Sequence, residues 1–245
     1  MSRSGERARR GAAGAAGPAP VWGGVLIGGA GRRMGGPKQL LRHGGVTFAE
    51  RAVAALAFHA EGVALLGAGA VPAALDALPR LADVPLVPVV AGGSGGPPEG
   101  AESVVEGASR GVAAGGAVGG PLAGMLAAVR WRPAAAWVFA PCDLPSIAPA
   151  AVAWLLAQRR PGRWAVLPRT APGAPVEPLF ALYEPPAHRL LEELAAAPPA
   201  ARAPRRLAGH PRVAVVTVPP ALARCWAGAN TPAELAALRR PGGGE

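Results

Sequence analysis

Between Val21 and Leu238, short apolar runs of strand length alternate with segments of helical spacing, and this limits the chain to few architectures. Strands separated by helices must cross over to pair in parallel, so the pattern predicts a mainly parallel sheet with helices on both faces. Strands are expected at Val21–Gly28, Val63–Leu66, Pro85–Val90, Ala136–Ala140, Trp164–Leu167, a run ending in Leu179–Tyr183, and Val213–Val218. Helices are expected at Thr47–Ala60, Pro72–Leu81, Glu99–Val112, from Pro121 through Trp131, Pro149–Arg160, Pro186–Ala197 and Thr231–Leu238. Three of these carry start signals. Thr47 and Glu50 have capping-box spacing, Pro121 suits a first helical position, and Thr231, Pro232 and Glu234 fit N-cap, N1 and N3.

A chain of 245 residues with no internal repeat fits one α/β domain, assigned to residues 21–240. Residues 1–20 form a basic, low-complexity stretch expected to be a disordered tail, and residues 91–120 read as a Gly/Pro-rich insertion. The Ala/Gly run after Arg9-Arg10 lacks the apolar centre of a secretory signal. No apolar run approaches the roughly 18 residues of a membrane span, so no membrane is expected. Cys142 and Cys225 stand far apart without C-x-x-C spacing, which fits a reducing cytoplasm better than a disulfide or zinc framework. The net charge of +10 suits polyanionic partners. Its arginines are scattered and aromatics are few, so no nucleic acid is expected and small phosphorylated substrates are favoured.

The stretch Val25–Leu41, V-L-I-G-G-A-G-R-R-M-G-G-P-K-Q-L-L, reads as a strand opening into a loop whose bare amides can wrap a phosphate chain. Lys38 is the only lysine, so a composition that uses arginine everywhere else keeps one compact ammonium here. The loop is not a Walker A sequence, since no G-K-[ST] follows, and it lacks dinucleotide-fingerprint spacing. Pro141-Cys142-Asp143-Leu144-Pro145 follows the Ala136–Ala140 strand directly. Ligands of such sheets bind beyond the carboxyl ends of the strands, so Lys38 and Asp143 should share one edge. Glycines, Arg33, Lys38 and a carboxylate around one cleft suit a nucleoside triphosphate with Mg2+, a cation held by one or two carboxylates plus phosphate oxygens. Cys142 reads as a small buried side chain, and the four histidines show no metal-ligand spacing.

G-G-A-G-R-R-M-G-G-P-K-Q-L-L is followed in order by G-P-L-A-G-M (Gly120–Met125), P-C-D-L-P (Pro141–Pro145), P-L-F-A-L-Y (Pro178–Tyr183) and N-T-P-A-E-L (Asn230–Leu235). This ordered set, covering about residues 22–238, resembles the molybdenum cofactor guanylyltransferases, the MobA family of nucleotidyltransferases. The resemblance implies a three-layer, Rossmann-like α/β fold. It also implies transfer of GMP from GTP to the terminal phosphate of molybdopterin, with release of pyrophosphate and a Mg2+ requirement. Leu26, Ile27, Gly28, Gly29 and Gly31 would then contact the nucleotide, with Arg33 and Lys38 on its phosphates and Asp143 on the metal. Pro121, Leu122, Gly124 and Asn230 are the candidates for the second substrate. Molybdoenzymes or cofactor-assembly proteins are the implied protein partners. The family's asparagine after the second strand falls at Gly67, and its aspartate after the third falls near Ala91, where no carboxylate stands. The R-M-G-x-P-K-Q spacing and the helix containing Glu102–Gly107 also resemble cytidylyltransferases, so cytidylyl transfer stays open. So does a paralogue that binds nucleotide or pterin without turnover.

Overall fold

A computed structural model describes residues 17–28, 36–84 and 120–239. Gly29, Gly31, Arg32, Arg33, Ala91 and residues 1–16 lie outside them. So do the strand expected at Pro85–Val90 and the helix expected at Glu99–Val112. In chain order the elements are β1 (Val21–Leu26), β2 (Arg42–His43), β3 (Val46–Thr47), α1 (Phe48–Ala57), β4 (Gly62–Leu66), β5 (Arg80–Leu81), α2 (Pro121–Trp131) and β6 (Ala136–Pro141). There follow α3 (Pro149–Leu156), β7 (Ala165–Arg169), β8 (Ala181–Tyr183), α4 (His188–Ala196), β9 (Val213–Thr217), α5 (Pro220–Ala223) and α6 (Pro232–Arg239).

Seven strands form one sheet in the order β5-β4-β1-β6-β8-β7-β9. All pairings are parallel except those of β8, which runs antiparallel to both β6 and β7. The expected α/β class with a mainly parallel sheet is therefore the observed one. One core lies between the sheet and the α1–α3 side, where Val25, Leu56, Leu65, Val138, Val152 and Leu182 are buried. The other, on the α2–α4 side, holds Leu66, Met125, Trp137, Phe139, Tyr183 and Leu191. Each large side chain so buried contributes about 1.5–3 kcal/mol, so the strand ends rest on a rigid support. Gly24 shows how tightly β1 is packed: a Cβ there would lie 2.6 Å from the Phe139 ring. Among the described residues, no helix is long and apolar enough to cross a membrane.

The start of α1 is the capping box expected from its sequence. The Glu50 amide donates to Thr47 Oγ1 (3.2 Å) and the Thr47 amide to Glu50 Oε2 (2.7 Å). The Thr47 amide and the Thr47 hydroxyl (2.7 Å), both donating to Glu50 Oε2, hold the Glu50 carboxyl below its ordinary pKa. Thr47 also closes a hairpin that the periodicity did not reveal, β2 against β3 across Gly44-Gly45 with φ of +62° and +86°. Two adjacent glycines are the residues such a two-residue turn requires.

The segment expected as a helix over Pro72–Leu81 is instead a 3-10 turn at Ala73–Leu75 followed by β5. Pro79 disfavours helical backbone at the residue before it. The edge of β4 also has donors to satisfy: the Leu65 amide donates to Pro79 O (2.8 Å) and the Gly67 amide to Leu81 O (2.8 Å). Sheet pairing wins over helical spacing here. The strand beside β4 is therefore Arg80–Leu81, and the carboxylate that follows it is Asp83.

Candidate active site

β4, β1 and β6 are adjacent and parallel, so their carboxyl ends open onto one edge, with β5 beside them. A cleft of about 380 Å3 lies there, lined by Leu26, Ile27, Gly28, Lys38, Leu66, Asp83, Gly120, Pro121, Pro141, Cys142, Asp143 and Leu179. The volume falls in the usual range for sites that take a small organic ligand.

One end is charged. Lys38 opens a short 3-10 turn (Lys38–Leu40), and its Nζ donates to Asp143 Oδ2 at 3.0 Å and to Asn230 Oδ1 at 2.5 Å. The only lysine, the only asparagine and one of three aspartates in the chain thus meet at one point. The turn is anchored from below, since buried Gln39 donates through Nε2 to Ala70 O (3.1 Å) in the loop after β4. Asp143 is placed by β6: the Cys142 amide donates to Leu26 O (3.2 Å), and Asp143 O accepts from the Ala229 amide (3.0 Å). Asn230 is placed by the start of α6. Its amide donates to Glu234 Oε2 (2.7 Å), and the Glu234 amide donates to Thr231 Oγ1 (3.2 Å).

Asp83 marks the other end. Desolvation raises its pKa above the ordinary aspartate value. It sits close to Gly67 and Gly124, whose hypothetical Cβ atoms would lie 3.5 and 3.3 Å from its Oδ1. The amino end of α2 reaches the cleft at Gly120 and Pro121, and a helix amino end favours negative charge. Opposite, Leu179 is held by its neighbours. The Tyr183 hydroxyl donates to Pro178 O (2.7 Å), and Trp226 Nε1 donates to Phe180 O (3.0 Å). Glu177, just before this segment, is half-buried, and burial followed by the Asp143 charge raises its carboxyl pKa.

Of the residues singled out in the sequence, Leu26, Ile27, Gly28, Lys38, Pro121 and Asp143 line this cleft, and Asn230 joins Lys38 at its mouth. Leu122 and Gly124 are instead packed beneath it: Leu122 is buried in the α2 core, and Gly124 lies against Leu26 and Leu66. Cys142 is buried too, and desolvation pushes its thiol up to about 11, which leaves no thiolate at neutral pH. The sequence reading missed Asp83 and Glu177. For Asp83 a signal was available, because it is one of only three aspartates in the chain.

Gly67 explains a departure from the family pattern. Its φ is +109°, and a Cβ would stand 2.3 Å from the Ile27 carbonyl oxygen. No side chain fits without moving the backbone that lines the cleft. Gly67→Asn is expected to cost roughly 2–4 kcal/mol, read as a lower midpoint in chemical denaturation. An unchanged midpoint would show that the loop can relax.

A glycine-bordered cleft at the carboxyl edge of a parallel sheet, with lysine and aspartate at one end, defines a nucleotide-handling α/β enzyme. The chain belongs to the family described as the MobA-like NTP transferase domain, which matches residues 23–215, and it is a nucleotidyltransferase. No curated protein sequence matches it. Among solved structures it is similar to molybdopterin-guanine dinucleotide biosynthesis protein A from Archaeoglobus fulgidus, at 20% identity over 89% of this chain and 96% of that one, TM-score 0.55. It is also similar to Rv0371c from Mycobacterium tuberculosis, at 20% identity over 91% and 98%, TM-score 0.56. At that identity the likeness speaks to the fold.

Proposed function

We propose that the protein transfers GMP from GTP to the terminal phosphate of molybdopterin, releasing pyrophosphate. The observation that carries this reading is one continuous cleft with Asp83 at one end and the Lys38–Asp143–Asn230 cluster at the other. The base belongs at Asp83. Guanine offers two parallel donors, N1–H and N2–H, which an ionised carboxylate accepts together. Cytosine offers one donor beside two acceptors, and those acceptors are repelled by a carboxylate. The pterin acceptor is supported by the ordered motifs and by the likeness to the molybdopterin-guanine dinucleotide biosynthesis protein A of A. fulgidus.

The phosphates belong at the charged end. A terminal phosphate oxygen of the acceptor attacks the α-phosphorus of GTP, a new P–O bond forms, and the bond to the β-phosphate breaks as pyrophosphate leaves. Such transfers need charge stabilisation and alignment rather than covalent help from the protein. Lys38 supplies a positive charge for the phosphate oxygens. Asp143 and Asn230 present two hard oxygen donors side by side, which fits Mg2+, a cation usually completed by phosphate oxygens and water. When bound, that ion would neutralise phosphate charge and fix the triphosphate's geometry.

The test is pyrophosphate release from each nucleoside triphosphate with Mg2+ and molybdopterin. GTP should exceed CTP by roughly 100-fold in kcat/KM, because a mismatched base leaves the carboxylate wrongly paired. A preference for CTP would make the protein a cytidylyltransferase. GTP binding without turnover would make it a carrier.

A further inference from the structure

We propose that in the nucleotide-free protein the Lys38 ammonium holds the place of the divalent cation, between the Asp143 carboxylate and the Asn230 amide oxygen. It gives way only when a nucleoside triphosphate arrives to receive it. The inference rests on the metal–triphosphate reading of the cleft and adds an order of events to it.

Two oxygens from distant parts of the chain converge on one cation, at 3.0 and 2.5 Å from Nζ. An ammonium has only donors, so the amide oxygen of Asn230, not its nitrogen, must face it. The main chain that carries both oxygens is held independently of the lysine. The Asp143 carbonyl and the Ala229 amide join the two segments, and Glu234 and Thr231 fix the Asn230 backbone at the start of α6. Removing the ammonium therefore leaves a preformed pair of hard donors. The main chain of Lys38 is held by its own turn, where the Leu41 amide donates to Lys38 O (3.1 Å), so the ammonium can exchange partners without moving the backbone.

Charge decides the exchange. A dication and an ammonium repel strongly at such separations, so the metal cannot enter while Nζ stays. The metal alone would have to displace Lys38 with no new partner on offer. A triphosphate supplies that partner, so metal and nucleotide bind synergistically. This also accounts for the lone lysine: a planar guanidinium fork cannot act as a point charge that slips out from between two oxygens.

Because Lys38 is the only lysine, 13C-lysine labelling of the full chain yields one side-chain signal to follow. With wild type, Mg2+ alone should leave that signal in place, whereas Mg2+ with a non-hydrolysable GTP analogue should shift it. Mn2+ binding without nucleotide, read by water-proton relaxation, should be roughly tenfold tighter in Lys38→Met than in wild type. Adding Asn230→Leu should remove that gain. The proposal is overturned if Lys38→Met binds Mn2+ no more tightly, if Asn230→Leu leaves the gain intact, or if Mg2+ alone moves the wild-type signal. Turnover is scored separately, on the wild-type protein. A Mn2+ gain without GTP turnover upholds the exchange and sinks the guanylyl reading, and turnover without the gain does the reverse.

Discussion

Asp143→Ala is expected to lower kcat for pyrophosphate release by about 1,000-fold or more, with the fold intact. The side chain is the carboxylate paired with Lys38 at the phosphate end, with only 27% of its surface exposed. On the proposed reading, its loss removes a hard oxygen donor for Mg2+ and the partner that orients the ammonium, two effects on the same reacting phosphate. The main chain should hold, because the bond that joins this segment to Ala229 uses the Asp143 carbonyl rather than its carboxylate. Asp143→Asn separates charge from shape. The amide can still accept a hydrogen bond from Lys38 but carries no negative charge, so a comparable loss would identify charge as the essential property. Thermal unfolding of both variants, run beside the assay, checks folding. Activity within tenfold of wild type in Asp143→Ala would remove this residue from the mechanism.

The frame of the fold was readable because each main strand is a short apolar run followed by glycine or proline punctuation. The helices at Thr47 and Pro121 also announce themselves through side chains that satisfy or dispense with free amides. Lys38 and Asp143 could be placed on one sheet edge by the same logic, and the structure brings them within hydrogen-bonding distance. What escaped were elements too short to have a period. β5 is two residues long, and it is a strand only because the edge of β4 has amides to satisfy, a fact of tertiary structure invisible to a window of sequence. With Arg80–Leu81 read as the end of a helix, Asp83, two residues after β5, was passed over as a candidate. The β2–β3 hairpin is equally short, although its Gly44-Gly45 pair was a legible turn signal in a chain where glycine is too common to stand out.

Asp83→Asn is expected to lower kcat/KM for GTP by roughly 100-fold while changing that for CTP far less, so that base preference collapses. The carboxylate offers guanine two acceptors. The amide offers one acceptor and one N–H donor, which meets a guanine donor head-on and leaves a partly buried polar group unpaired. On the proposed reading the base lies at the opposite end of the cleft from the reacting phosphates, so the loss should appear mainly in KM. An acid limb gives an independent check. Burial raises the pKa of Asp83, and the protonated acid is a donor where guanine needs an acceptor. As pH falls toward that raised value, KM for GTP should climb in wild type. In Asp83→Asn, which cannot titrate, this part of the profile should be flat. Steady-state kinetics with GTP and CTP from neutral to mildly acidic pH measure both effects. An unchanged GTP-to-CTP ratio in Asp83→Asn would mean that the base is read elsewhere in the cleft.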